Sequence, residues 1–188
     1  MIVSWLVCAS IAIMIARHFK ETLGGDCCGT KTWFFLHRGL MSTLVVLVFT
    51  GLYCSYDYVG GWSGPQLHPL LGVSTVVAMI VQVIVAQCRC HPDHELRWMF
   101  NWFHFLTGNT AHILAVASIF TAYEAISLPK LFLYLMITYV VFHVIIHGII
   151  QCKRDSSDDG QFDSFFLHLI FFFVYLVIHL KVKLHFSL

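Results

Sequence analysis

Residues 34–53 read FFLHRGLMSTLVVLVFTGLY, and this stretch indicates the class of fold. Twenty residues of helix extend about 30 Å, which matches the hydrocarbon thickness of a bilayer. Five further apolar segments occur along the chain, at residues 1–16, 68–86, 102–126, 131–150 and 165–180. The sequence therefore predicts an all-α transmembrane helix bundle of six apolar segments, and an integral multi-pass membrane protein in contact with membrane lipid.

The composition leaves lipid as the main surroundings of this chain. Of the 188 residues, 59% are hydrophobic and only 11% are charged, which is too few charges to cover a soluble domain. The formal net charge of +1 gives no electrostatic reason to expect binding to nucleic acid.

The first apolar segment, residues 1–16, is short. Its helix would extend only about 24 Å, against a hydrocarbon thickness of about 30 Å. No basic residue precedes the segment and no small-residue cleavage motif follows it, so a signal peptide is not indicated. We interpret the segment as an incomplete first span that begins part-way through the membrane, as in an N-terminally truncated chain.

Basic residues alternate between loops and so predict the orientation of the helices. The loops after the first, third and fifth segments are flanked by eight Lys or Arg residues, whereas the other two loops contain one. By the positive-inside rule, the basic side is cytosolic. Lys181 and Lys183 follow the sixth segment on the opposite side, so that segment is re-entrant, interfacial or an exception to the rule. We divide the chain into a core at 1–154, and an acidic loop with an additional hydrophobic segment at 155–188.

Three histidines begin apolar segments and are candidates for metal ligands. The chain has 12 His against 10 acidic residues, and an imidazole inside an apolar segment costs free energy unless it is paired or ligated. His37 and His104 both lie at the cytosolic start of a helix, so they share one depth and can hold a haem iron between them. His68 begins a helix that runs the other way and needs a different partner. The alternative for each histidine is an interfacial residue or a helix cap.

Two further clusters carry metal-ligating side chains. His143 and His147 lie four residues apart on one helix face, a spacing that suits a metal but more often reflects packing. The run CRCHPDH at 88–94, together with Cys27 and Cys28, is a candidate zinc site. Cysteines at a membrane boundary are equally well explained by palmitoylation or by no special role.

Four stretches, in this order and spacing, resemble the cytochrome b561 family, in the version found in ferric-chelate reductases with an appended DOMON domain. They read ARHFK at 16–20, WFFLHR at 33–38, HPLLG at 68–72 and FNWFH at 100–104, and the resemblance extends over roughly residues 1–150. It implies a transmembrane b-type haem electron-transfer protein, that is, an oxidoreductase. Such a protein passes electrons from cytosolic ascorbate to a ferric chelate, or another acceptor, on the other side.

The resemblance also implies which histidines hold haem. In this family four helices each supply one histidine, and two haems b lie on opposite sides of the membrane. His37 and His104 match the cytosolic pair, and His68 matches one ligand of the other haem. The family partner of His68 lies before Met1, so one haem b is expected here and two in the intact family.

A role for basic residues follows from the same resemblance. Arg17, Lys20 and Lys31 match a basic cytosolic region that the family associates with the anionic reductant, although each is also explained as a positive-inside anchor. A homodimer is a candidate assembly. The alternative to an active reductase is a non-catalytic, truncated membrane isoform or scaffold that binds one haem or none.

Overall fold

The computed structural model describes residues 1–62, 66–125 and 129–155, and this part of the chain is mostly helical. The sixth predicted segment, at 165–180, and the predicted acidic loop after residue 155 lie outside the described residues. The chain divides between Leu133 and Tyr134 into two compact units. The domain boundary expected at residue 154 stays a prediction.

The elements follow the predicted apolar segments. Helix α1 (Ser10–His18) continues a π-helical stretch at Val3–Ala9, and a short antiparallel hairpin of β1 (Asp26–Cys27) and β2 (Thr30–Lys31) comes next. The long helices are α2 (Thr32–Val59), α3 (Leu67–Gln87), α4 (Arg97–Ala125) and α5 (Lys130–Asp155). Among the described residues, these four helices are long and apolar enough to cross a membrane. The prediction of an all-α, multi-pass transmembrane bundle is confirmed.

Two helices extend beyond their apolar segments. Helix α2 continues past Tyr53 to Val59 and ends at Gly60, whose left-handed φ of 74° lets its N–H bond to the Asp57 carbonyl at 3.2 Å. Helix α4 begins at Arg97, five residues before the predicted start, because the Arg97 N–H donates to the His94 carbonyl at 2.8 Å. Local hydrogen bonds, rather than hydropathy, determine these ends.

The hairpin between α1 and α2 was not predicted from the sequence. Its turn uses Cys28 and Gly29, with φ values of 51° and 75°. Thr32 at the start of α2 donates its hydroxyl to the Gly25 carbonyl at 2.9 Å, which joins the loop to the helix. The hairpin thus connects α1 to α2 through a short, hydrogen-bonded path.

Small side chains occupy many of the most buried positions between the helices. The π-helical stretch and α1 pack against α2, the π-helical stretch also meets α4, and α3 packs along α4. The most buried positions at these contacts include Ser4, Ala12, Thr75 and Ala115, and small residues allow transmembrane helices to approach closely. Many large apolar side chains lie outside, where lipid surrounds them; examples are Val46, Val77, Phe103 and Leu106.

Candidate functional site

His37 and His104 lie next to each other near the starts of α2 and α4. Their ring centroids are 6.4 Å apart and their planes meet at 66°. An iron ion bound in line between two imidazoles, about 2.0 Å from one nitrogen of each, separates the ring centroids by about 6.3 Å. The distance between the two rings is therefore compatible with coordination of a haem iron from both sides.

The ring of His37 is oriented by the first helix. Its Nδ1 lies 2.9 Å from the carbonyl oxygen of Ala12, to which it donates a hydrogen bond. Ala12 is fully buried, so this acceptor is held within the packing of α1 against α2. Such a bond fixes the orientation of an imidazole and leaves Nε2 for a metal. The contribution of α1 to this position was not expected from the sequence.

The ring and backbone of His104 are both contacted by Gln82 of α3. The Gln82 side-chain nitrogen lies 3.0 Å from His104 Nδ1 and 3.3 Å from Nε2, and it donates to the His104 carbonyl at 2.9 Å. The Thr107 hydroxyl donates to the Gln82 side-chain oxygen. The ring of Phe100 stacks on His104 at 5.5 Å and 13°. Gln82 and Phe100 thus restrict the position of the His104 imidazole, and Thr107 holds Gln82 in turn.

This position of Gln82 depends on a glycine. A Cβ atom on residue 108 would lie 2.8 Å from the Gln82 side-chain nitrogen, which is too close for the present arrangement. Sequence reasoning missed Gln82, although a signal was present. It is a single polar residue within the apolar run MIVQVIVA at 79–86, and such a residue in a membrane span is costly unless it has a partner.

A cluster of cations and aromatic rings lies at the same end of the molecule as His37 and His104. We call this cluster the basic end and define it by Lys20, Arg89, Trp33 and Phe34. The Arg89 guanidinium lies 4.0 Å from the centroid of Phe34 and 5.9 Å from that of Trp33, and Lys20 Nζ lies 5.3 Å from Trp33. The charges of Lys20 and Arg89 act on the His37 ring. The basic end therefore places positive charge beside one of the paired histidines.

Arg89 was not among the residues predicted to bind an anion. Burial, and then the neighbouring charge of Arg97, lower the pKa of the Arg89 guanidinium. Arginine nevertheless remains charged in proteins, because its ordinary pKa lies far above neutral pH. Arg97 is held near this region because its guanidinium donates to the Cys90 carbonyl at 2.5 Å.

The three predicted cations are not equivalent. Lys20 belongs to the basic end, and the Arg17 guanidinium lies 6.0 Å from the centroid of the Phe105 ring. Lys31 instead pairs with Asp26 across the hairpin, with 2.9 Å between Nζ and Oδ1, and both side chains are largely exposed. An exposed pair of this kind is strongly screened by solvent.

His68 lies apart from the other two predicted ligands, at the start of α3. Its Nδ1 is 3.0 Å from the Ser118 carbonyl oxygen on α4, and the Ser118 and Thr121 hydroxyls lie at 3.4 and 3.5 Å. Only one of the two ring nitrogens is engaged in these contacts. The environment of His68 therefore resembles that of His37, with one ring nitrogen at a backbone carbonyl of a neighbouring helix.

Two other clusters were candidates for metal binding from the sequence: the run at 88–94 with Cys27 and Cys28, and the pair His143 and His147. Within residues 1–62, 66–125 and 129–155, no three or more His, Cys, Asp or Glu side chains are placed to hold a metal ion. The zinc hypothesis for the run at 88–94 with Cys27 and Cys28 was therefore wrong there. In that run His91 Nδ1 lies 3.2 Å from Asp93 Oδ2 instead. The rings of His143 and His147 lie 4.7 Å apart, and Tyr139 stacks on His143.

The fold and these contacts define a class: a multi-pass helical membrane protein with two adjacent histidines beside a cluster of cations. The chain is 36% identical over 151 residues to ferric-chelate reductase 1 of Bos taurus, and 34% identical over 149 residues to ferric-chelate reductase 1 of Homo sapiens. It is also 26% identical over 118 residues to a cytochrome b561 and DOMON domain-containing protein of Arabidopsis thaliana. The chain is thus a homologue of these proteins, which confirms the resemblance to the cytochrome b561 family.

The matches cover most of this chain but a small part of each relative. They include 77% of the chain for the two ferric-chelate reductases and 62% for the plant protein. The chain spans 25% of the length of each of those reductases and 30% of the plant protein. No family model matches the chain, and no solved structure matches it.

Proposed function

We propose that this chain is the haem-carrying membrane part of a transmembrane oxidoreductase, in which His37 and His104 would hold a haem b. The observation that carries the proposal is the 6.4 Å separation of the two ring centroids. Two imidazoles at this separation suit a single iron, and both come from helices that are long and apolar enough to cross a membrane.

The residues around the two rings would hold the imidazoles in the orientation that metal binding requires. When bound, haem b supplies reversible one-electron chemistry, and two imidazole ligands leave no open position for oxygen. The Ala12 carbonyl holds His37 Nδ1, and Gln82 holds both the ring and the backbone of His104. The Gln82 amide nitrogen, a donor, faces the ring here, so the tautomer with a proton on Nδ1, which leaves Nε2 for iron, would need the amide turned over to offer its oxygen.

The basic end would bind the reductant. Lys20 and Arg89 lie near His37, and Arg89 is partly buried, so its charge is less screened than that of an exposed residue. Charge attraction favours a small anion there, and ascorbate is the reductant that the family resemblance suggests. Arg17 would add to this field from α1, whereas Lys31 is largely occupied by Asp26.

The acceptor would be a ferric chelate on the opposite side, as the names of the two mammalian relatives suggest. If a second haem is held at that side, His68 would be one of its ligands, since its Nδ1 is held by the Ser118 carbonyl and its Nε2 is left for iron. Measuring the number of haems per chain distinguishes a single haem site from two.

The proposal is tested by haem content. We expect the full chain, purified in detergent and supplied with haem, to give a b-type α band in a reduced-minus-oxidised spectrum. His37→Ala and His104→Ala should each lose one haem per chain in a pyridine haemochrome assay. His91→Ala is the matched control, because that histidine is exposed in the loop before α4 and should leave the haem content unchanged. Absence of haem, or unchanged content in both variants, would overturn the proposal.

A further inference from the structure

A cleft of about 310 Å³ lies between the end of α3 and the beginning of α4. Its walls are mostly apolar, with Ile84 and Val85 on α3 and Met99 and Phe103 on α4, and two thiols line it as well, Cys88 and Cys90. Neither His37 nor His104 lines this cleft. The two imidazoles thus lie outside the cleft, although Phe100, which stacks on His104, is one of its lining residues.

The cleft opens on the surface that lipid covers. The side chains of Ile84 and Phe103 are 58% and 61% exposed, although both are large and apolar. Cys88 directly follows α3, where its N–H donates to the Val85 carbonyl at 3.1 Å. The cleft thus begins where a membrane-spanning helix ends, with an exposed thiol at that boundary.

We propose that Cys88 is S-acylated by a long-chain fatty acid and that the acyl chain lies in this cleft. The Cys88 sulfur would attack the carbonyl carbon of a fatty acyl coenzyme A thioester. A new thioester forms at Cys88, the thioester bond of the donor breaks, and the thiol proton of Cys88 passes to the departing coenzyme A thiol. The exchange of one thioester for another needs no oxidant or reductant.

Three features favour Cys88 and this occupant. The apolar walls match a hydrocarbon chain, and attachment at Cys88 would keep one chain at the cleft, where free lipid would exchange. Arg89 follows Cys88 in the chain and Arg97 donates to the Cys90 carbonyl, so positive charge in this loop complements the phosphates of the donor. The basic end is also predicted to face the cytosol, where fatty acyl coenzyme A is available. Cys90 lines the same cleft but is half-buried, so Cys88 is the more accessible thiol.

The hairpin cysteines provide a matched comparison. Cys27 and Cys28 lie on the same predicted side of the membrane, and their sulfur atoms are 3.7 Å apart. Neither lines the cleft. If access to the cytosol alone determined acylation, these two thiols would be labelled as well as Cys88.

The experiment uses the full chain in cultured eukaryotic cells supplied with an alkynyl palmitate. We expect a label that hydroxylamine releases, lost in Cys88→Ser and kept in the double variant Cys27→Ser/Cys28→Ser. Absence of label, a label that persists in Cys88→Ser, or a label lost only from Cys90→Ser or from the hairpin variant would overturn the assignment. Haem content, measured in the same preparations, reports the fold of each variant and is independent of the acylation result.

The position of the acyl chain is tested with a photoreactive palmitate that carries a diazirine along the chain. Illumination should crosslink the chain to the peptide that contains Met99 and Phe103, as mapped by mass spectrometry. Crosslinks to lipid alone, with Cys88 labelled, would overturn the placement in the cleft. Val85→Trp, which narrows the cleft, should keep the label and reduce those crosslinks.

Discussion

Gln82 on α3 contacts both the ring and the backbone of His104 on α4, at 3.0 Å from Nδ1 and 2.9 Å from the carbonyl oxygen. A glutamine side chain within a membrane span needs hydrogen-bond partners, and His104 and Thr107 supply them. The same contacts position an imidazole that we propose as a haem ligand. One polar residue thus links the packing of α3 on α4 to the geometry of the paired histidines.

Replacing Gln82 by Leu should weaken haem binding without abolishing it. The loss of an outer hydrogen bond to a metal-ligating histidine lowers metal affinity by about 10- to 100-fold, because the ring is no longer held in one orientation. Haem titration of the purified protein measures the affinity, and a redox titration detects a changed midpoint potential. Gln87→Leu at the exposed end of α3 is the matched control. Equal affinities in both variants would contradict a positioning role for Gln82.

Replacing Gly108 by Ala should have the same effect as replacing Gln82. The added Cβ would lie 2.8 Å from the Gln82 side-chain nitrogen and so would displace that side chain from His104. We expect haem affinity to fall by about tenfold, measured by the same titration. Gly39→Ala on α2 serves as control, since its Cβ would meet no heavy atom within 4 Å.

Coupling between these two positions gives a sharper test. If Gly108 acts through Gln82, adding Gly108→Ala to Gln82→Ala should cost little beyond the single Gln82→Ala change. Additive losses in the double variant would show that Gly108 affects haem binding by another route.

Replacing Arg89 by Gln should weaken the interaction with an anionic reductant. We expect the apparent KM for ascorbate to rise by about tenfold at low ionic strength, because a partly buried charge beside His37 is removed. The difference should shrink at about 1 M salt, where charges more than about 3 Å apart are screened. Stopped-flow measurement of the rate of haem reduction, at a series of ascorbate concentrations, gives this KM.

Two controls accompany the Arg89 variant. Lys31→Gln should have a smaller effect, because Lys31 is exposed and paired with Asp26. Reduction by an uncharged reductant should be unaffected by either change. If Arg89→Gln slowed reduction equally with charged and uncharged reductants, the change would indicate a structural defect instead of a binding role for Arg89.

Replacing His68 by Ala should distinguish one haem from two. If His68 holds a second haem, the variant should lose that haem and keep the spectrum of the one between His37 and His104. The pyridine haemochrome assay gives the stoichiometry, and the α-band position identifies the remaining haem. A wild-type chain with one haem, unchanged in His68→Ala, would leave His68 with only its hydrogen bond to Ser118.

The spans of this protein follow from its sequence because the bilayer imposes a simple rule. A helix must present about 20 apolar residues to cross the hydrocarbon, so an apolar run both identifies the helix and sets its depth. The predicted segments at 68–86 and 131–150 lie within helices Leu67–Gln87 and Lys130–Asp155. For the same reason, two histidines near the starts of parallel helices were expected at one depth. Their ring separation of 6.4 Å is a property of the folded chain.

The tertiary structure alone decided which side chains surround those histidines. Depth along a helix follows from hydropathy, but rotation about the helix axis does not when nearly every face is apolar, and α2, α3 and α4 are apolar on most faces. The contacts of Ala12 with His37, Gln82 with His104 and Arg89 with Phe34 all depend on that rotation. It is set by small residues that allow close packing and by the few polar groups that must find partners away from lipid.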